Sequence, residues 1–184
     1  MGKFSAVEVR LESGELLLLR EATPTDAPQV VAYVEAIASE SDFLTFGPGE
    51  FGITIEQEKA YLARALSRDN ALYIIAIIDG EIVGSLSFAG GGRSRTAHTG
   101  EFGMSVRKGH WGKGIGTKLI RCLLQWCKES GVIRKVNLRV RTDNLRAIHL
   151  YKKMGFREEG IITREFQVGG VFYDSLAMGY AIDY

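Results

Sequence analysis

The sequence predicts a single α/β domain in which a mixed sheet carries about four helices, and three observations support this. Glu101 to Val106 alternates bulky residues as a strand does; Arg107 to Lys118 then places glycines at 109, 112, 114 and 116 ahead of the amphipathic segment Leu119 to Lys128. Leu72 to Ile78 and Glu81 to Phe88 flank Asp79-Gly80, a dipeptide suited to a type I′ hairpin turn. Strand-like and helix-like periods alternate along all 184 residues without internal repeat or linker, so residues 1–184 are read as one domain.

Taken in order, Val7 to Leu11 and Leu16 to Arg20 flank Ser13-Gly14 and read as one interrupted strand or a hairpin. Thr23-Pro24-Thr25-Asp26 supplies a helix start ahead of Val30, Val31, Val34 and Ile37. From Ser39 to Gly52 a loop carries Phe43, Phe46 and Phe51 among Gly47, Pro48 and Gly49. Thr54 and Gln57 have capping-box spacing for a second helix to about Ser67, with Ile55, Tyr61, Leu62 and Leu66 available to face inward. After the hairpin, Gly90 to Arg93 is a flexible link into the Glu101 strand. A helix to about Gly131, a strand from Lys135 to Arg141, a helix beginning at Asn144, a strand from Phe156 to Phe166, the Gly169-Gly170 turn and a strand from Val171 to Ala181 complete the chain.

Near-equal acidic and basic counts leave a net charge of +1, so no polyanion is implied and no nucleic-acid partner is expected. Arg134, Lys135, Arg139 and Arg141 interleave with Val136, Leu138 and Val140, which reads as one solvated strand face. Cys122 and Cys127 have neither redox nor zinc spacing, and His98, His110 and His149 are scattered, so no metal is expected. No apolar run reaches about 18 residues. Met1-Gly2 lacks the Ser or Thr at position 6 of a myristoylation signal, the residue there being Ala6. A soluble, cytoplasmic protein without membrane association is expected.

Gly112, Gly114 and Gly116 allow successive amide N–H groups to converge on an anion at the positive end of a helix. Gly109 and Gly114 have the Walker interval, but Ile115 stands where its lysine belongs, which disfavours ATP or GTP and phosphotransfer. A dinucleotide fingerprint would need a third glycine at Thr117 and an acidic strand end about 20 residues on, where basic residues stand instead.

The run Trp111-Gly-Lys-Gly-Ile-Gly-Thr117 resembles the diphosphate-binding loop, Gln/Arg-x-x-Gly-x-Gly/Ala, of the GNAT superfamily of acyl-CoA-dependent N-acyltransferases. It matches at Gly114 and Gly116 and departs at Trp111. Downstream, Asn144, Ala147, Leu150-Tyr151 and Gly155-Phe156 repeat in order the family's fourth-helix pattern. The chain is similar to the bacterial, ribosomal-protein-acetyltransferase-like group. The protein-N-terminus branch places a Glu five residues before the helix Asn, and here that position is Arg139.

The resemblance implies a mostly antiparallel sheet of six to seven strands with one splayed parallel pair, acetyl-CoA as cosubstrate, and an amine acceptor that is a small molecule or a protein. It implies diphosphate contacts from Gly112, Lys113, Gly114, Ile115, Gly116 and Thr117, and pantetheine pairing along Met104, Ser105 and Val106, with Gly103 as a possible bulge that splays the strand. Asn144 borders the cofactor and is also a natural N-cap. Tyr151, seven residues on and on the same helix face, is the usual proton donor to the thiolate. The phenol suits that task, since a Tyr of pKa about 10 is protonated where a thiol of about 8.5 departs.

Glu101 is the best-placed carboxylate to deprotonate the amine, directly or through water. In the family the connection between the first two helices lies over the acceptor pocket, so Phe43, Phe46 and Phe51 either cap the core or shape that pocket. Asp174 reads as an ordinary strand polar residue. The resulting expectation is direct N-acetyl transfer in a ternary complex, with a homodimer possible. A non-catalytic acyl-CoA-binding or sensing module of the same fold is the competing class.

Overall fold

The computed structural model describes residues 4–183; Met1-Gly2 lies outside them. Eight strands form one sheet in the order β1-β2-β3-β4-β5-β6-β8-β7. The first two, β1 (Val7–Arg10) and β2 (Leu16–Glu21), are an antiparallel hairpin, which takes the sheet past the six to seven strands expected. A 3₁₀ turn at Pro24–Asp26 leads into α1 (Ala27–Ala38), and α2 (Ile55–Leu66) follows the aromatic loop. The hairpin β3 (Ala71–Ile78) and β4 (Glu81–Gly90) turns at Asp79 and Gly80, whose φ angles of 51° and 81° fit the mirror-image turn read from Asp-Gly.

Then come β5 (Thr99–Val106), α3 (Ile115–Ser130), β6 (Lys135–Arg141), α4 (Leu145–Lys153), β7 (Arg157–Val168) and β8 (Val171–Ala181). Gly131, at φ 66°, stops α3 in the left-handed conformation that glycine takes without strain. Cys122 and Cys127 on this helix are free thiols.

Helices cover both faces of the sheet. On one, Leu119, Ile120 and Leu123 of α3 pack with Leu17, Leu19, Ile74 and Leu86; on the other, Val30, Tyr33 and Leu62 pack with Tyr73 and Ile75. β3 therefore meets a helix layer on each side, and its unbroken apolar run is what such a central strand requires.

The start of α1 is fastened by charge. Asp26 is buried and takes both guanidinium nitrogens of Arg20 at 2.7 and 2.8 Å, as well as the amide of Thr23 at 2.7 Å. The Arg20 hydrogen bonds, outweighing burial, hold its carboxyl below the usual range. A depressed folded pKa contributes stability above the unfolded value of about 3.9, which is lost as pH falls through the folded value. Asp26→Asn is expected to cost about 1.5–3 kcal/mol at neutral pH, read from urea unfolding, and to flatten the acid fall in stability.

All strand pairs are antiparallel except β5 with β6, which pair only from Thr99–Glu101 to Lys135–Asn137. Beyond that point β5 stays with β4 as far as Val106, and β6 stays with β8 as far as Arg141. A wedge opens between them. The bulge anticipated at Gly103 is absent: the β4–β5 register runs unbroken through Ser87–Gly103, and the strands part on the other side, where β6 follows β8.

Candidate active site

The wedge exposes a particular set of backbone groups. Arg107 donates its N–H to Val83 and Thr99 accepts at its carbonyl from Gly91, so odd positions of β5 face β4. By alternation the N–H and C=O of Phe102, Met104 and Val106 face the wedge. The carbonyl of Val106 is already taken by the indole N–H of Trp111 at 2.7 Å, which ties the glycine-rich loop to the end of β5. Met104 is left with donor and acceptor on an unpaired strand edge.

The loop arrives at the same place. Gly112 and Gly114 have φ of 81° and 80°, and Gly114 caps α3 without any side-chain bond. None of the amides from Gly112 to Thr117 donates a hydrogen bond among the described residues. A Cβ on Gly116 would lie 3.2 Å from Leu150 and 3.3 Å from Met104, so glycine there lets α3, α4 and β5 meet closely. Six N–H groups without a partner among the described residues, at the positive end of a 16-residue helix, are an arrangement suited to an anion.

A cavity of about 940 Å³ passes through the wedge. Gly112, Gly114, Ile115, Gly116 and Thr117 line it from the loop, Met104, Ser105 and Val106 from β5, and Asn144 and Tyr151 from α4. The sequence model for the acetyltransferase (GNAT) family matches residues 32–156. The chain belongs to the GNAT acetyltransferase family. It is 30% identical over 115 residues to the L-amino acid N-acetyltransferase AaaT of Escherichia coli K12, a match spanning 62% of this chain and 71% of that protein.

The fold superimposes on a GNAT-family acetyltransferase from Streptococcus pneumoniae with a TM-score of 0.88 and 33% identity, covering 91% of this chain and 99% of that one. A GNAT phosphinothricin acetyltransferase from Sinorhizobium meliloti, in complex with acetyl-CoA, shares the fold at a TM-score of 0.78 and 17% identity over 89% and 87% of the two chains. This GNAT acetyltransferase is thus an acyl-CoA-dependent enzyme. Its residues fit that cosubstrate: free amides suit a diphosphate, and an unpaired strand edge suits pantetheine amides.

On α4 of this GNAT acetyltransferase, Asn144 accepts the Ala147 amide at 3.2 Å through Oδ1, which makes it the N-cap, while it also lines the cavity. Tyr151 is 8% exposed and packs edge to face against Phe102 and Phe156. Its hydroxyl makes no hydrogen bond among the described residues, and burial pushes its pKa up to about 12. Arg146, which sequence reasoning missed, lies over the Trp111 ring at 5.2 Å and beside Gly112. It brings a cation to the loop position where Trp111 departs from the family pattern.

Two expected site residues face other partners. The Lys113 ammonium sits 2.8 Å from both carboxylate oxygens of Glu15, and Lys113 does not line the cavity. Glu101 is also outside the lining; Arg139 bonds its carboxylate at 3.0 to 3.2 Å and reaches Glu165 as well. Among the described residues no cluster of three or more His, Cys, Asp or Glu is arranged for a metal ion.

The basic face of β6 is paired rather than simply solvated. Lys135 pairs with Glu159, and Arg141, 5% exposed, chelates Asp143, donates to the Asp42 carbonyl and lies between the rings of Phe43 and Tyr173. This stack pins the aromatic loop over the wedge. Phe46 and Phe51 pack on each other and on the α1–α2 core. Asp174 accepts the amide of Arg164, a non-glycine residue at φ 55°, and so fixes the irregular stretch of β7.

On α2 the capping box closes as its spacing indicated, Thr54 and Gln57 exchanging bonds of 2.9 and 3.2 Å. The inward face is different from the one expected: Ile55 and Leu66 are each 42% exposed, whereas Glu58 is 2% exposed and lines the cavity. Helical spacing of Glu58 with Tyr61 and Leu62 was the available signal, but the acidic side chain argued for the outer face.

Proposed function

We propose that the protein transfers the acetyl group of acetyl-CoA to a primary amine by direct attack in a ternary complex. The observation that carries this reading is the single cavity running from the free amides of the Gly112–Thr117 loop, past Met104 and Tyr151, to the aromatic residues under α1 and α2. One continuous space bordered by both the free amides and the aromatic residues supports a reaction of two bound substrates.

The acetyl thioester supplies an activated acyl carbon and a thiolate leaving group. The amides of Gly112 to Thr117 hold the diphosphate, and the outward groups of Met104 orient the arm along β5. The N–H of Met104 is the donor aimed at the developing oxyanion, a contact of the kind worth about 2.7–4 kcal/mol. Tyr151, protonated throughout the working pH range, donates its proton to the departing sulfur. Arg139 already holds the Glu101 carboxylate, so accepting the amine proton there would mean giving up one of those bonds; Glu101 would then act through water at most.

Incubation with acetyl-CoA and a panel of amines, with thiol release as the readout, tests this function. Amine-dependent thiol release is expected. Tight acetyl-CoA binding with no thiol release from any amine would favour a non-catalytic binding module instead.

A further inference from the structure

The charged groups on the acceptor side of the cavity are unequally satisfied. Glu40 takes Arg107 at 2.9 Å and the Lys108 amide at 2.7 Å; Arg139 holds Glu101, and Arg141 holds Asp143. Glu58 alone of these lining side chains has no hydrogen bond or ion pair to its carboxyl among the described residues. It is nevertheless 2% exposed, and a buried carboxylate without a partner costs several kcal/mol by desolvation. Desolvation pushes its carboxyl above the usual range. Burial and then the charge of Glu58 raise the phenol of Tyr73, and the two residues line the same cavity.

Aromatic residues line the same cavity, and Tyr61 is one helical turn from Glu58 on α2. Tyr61, Tyr73, Phe46 and Phe51 are among them, and Tyr61 stands edge-on to Tyr73 while its hydroxyl meets Ser87 at 2.9 Å. A carboxylate and aromatic rings lining one space suit a cation. α2, which carries Glu58, packs on β3; Tyr73 of β3 pairs with Ser87 and Ser87 with Gly103, so that helix stands over a strand two spacings, about 10 Å, from β5. Glu58 thus enters the cavity from the β3 side and Met104 from β5, which separates an ammonium held at Glu58 from the nitrogen that attacks. Such an ammonium is a second nitrogen on the same acceptor.

We propose that Glu58 is the acceptor-specificity residue, binding the distal ammonium of a short alkyl diamine or polyamine whose other amine is acetylated at the wedge. This rests on the acetyl-transfer reading above. An amino-acid acceptor fits less well, because Arg139 and Arg141 are engaged by Glu101, Glu165, Asp143 and the Asp42 carbonyl, and Arg146 lies at the glycine-loop end over Trp111.

The test compares putrescine, butylamine and γ-aminobutyrate as acceptors for the wild type and for Glu58→Gln. Thiol release gives kcat/KM, and calorimetric titration in the presence of coenzyme A gives binding without turnover. Wild type should favour putrescine over butylamine by about 10- to 100-fold, the factor carried by one hydrogen bond to a charged group, and Glu58→Gln should bring that ratio close to one. Because the variant removes an uncompensated buried charge, its thermal midpoint should equal or exceed that of the wild type, which separates lost recognition from lost folding.

Putrescine binding that depends on Glu58 without any thiol release would uphold the subsite and refute acetyl transfer. Thiol release that shows no preference for the diamine, that favours γ-aminobutyrate, or that keeps its putrescine-to-butylamine ratio in Glu58→Gln would overturn the subsite and leave acetyl transfer standing. Neither binding nor release would overturn both.

Discussion

Tyr151→Phe is expected to lower kcat by about 10²–10⁴-fold, the range for losing a positioned general acid, while leaving acetyl-CoA affinity nearly as it was. The substitution removes one hydroxyl and keeps the ring that Phe102 and Phe156 pack against, so the α4 core persists. The hydroxyl has no other hydrogen bond among the described residues to lose. With the phenol at about 12, the wild-type pH profile should show no alkaline fall from Tyr151 below about pH 11. A phenol at about 12 is a weaker acid than a coenzyme thiol, which resembles cysteine at about 8.5, so proton transfer from Tyr151 to the sulfur runs uphill and is coupled to cleavage of the C–S bond. Turnover that survives in Tyr151→Phe would remove the phenol from the mechanism.

Gly114→Asp is expected to abolish measurable acetyl-CoA binding, and the reason is charge. Space is available, since a Cβ on Gly114 would meet nothing within 4 Å, so the clash that the glycine-rich sequence suggests is not the cause. At φ 80° an added side chain costs about 1–2 kcal/mol in backbone strain. A carboxylate about 4 Å from a bound phosphate adds about 4 kcal/mol of repulsion at a near-surface dielectric, on the order of a thousandfold in affinity. Gly114→Ala carries the strain alone and should weaken binding by roughly tenfold. Equal effects of Ala and Asp in calorimetric titration would show that backbone conformation, and not an anion in the cradle, governs the site.

Features written in local chemistry were legible in the sequence. Asp79-Gly80 specified a mirror-image turn because both residues tolerate positive φ, and Thr54 with Gln57 specified a helix start through a reciprocal bond of fixed spacing. The turn at Gly112 and Gly114 was legible because these glycines carry its positive φ themselves. Features that depend on which distant residue arrives were not. Lys113 looked like a phosphate ligand until Glu15, from the β1–β2 turn, engaged it. Arg141 looked solvated, but Phe43 and Tyr173 enclose it from two other parts of the chain.

Gly103 looked like a bulge because strand glycines often mark one, whereas the parting of β5 from β6 comes from β6 keeping its partner β8. Glu58 was the least legible of all. Polarity is the usual evidence for an outward helix position, and the buried Glu58 departs from that rule.

A crystal structure of the protein with coenzyme A tests the central claim most directly. The diphosphate oxygens should lie about 3 Å from amide nitrogens between Gly112 and Thr117, with the sulfur in hydrogen-bond reach of the Tyr151 hydroxyl. A diphosphate bound elsewhere, or a sulfur kept from the phenol by Phe102, would contradict it.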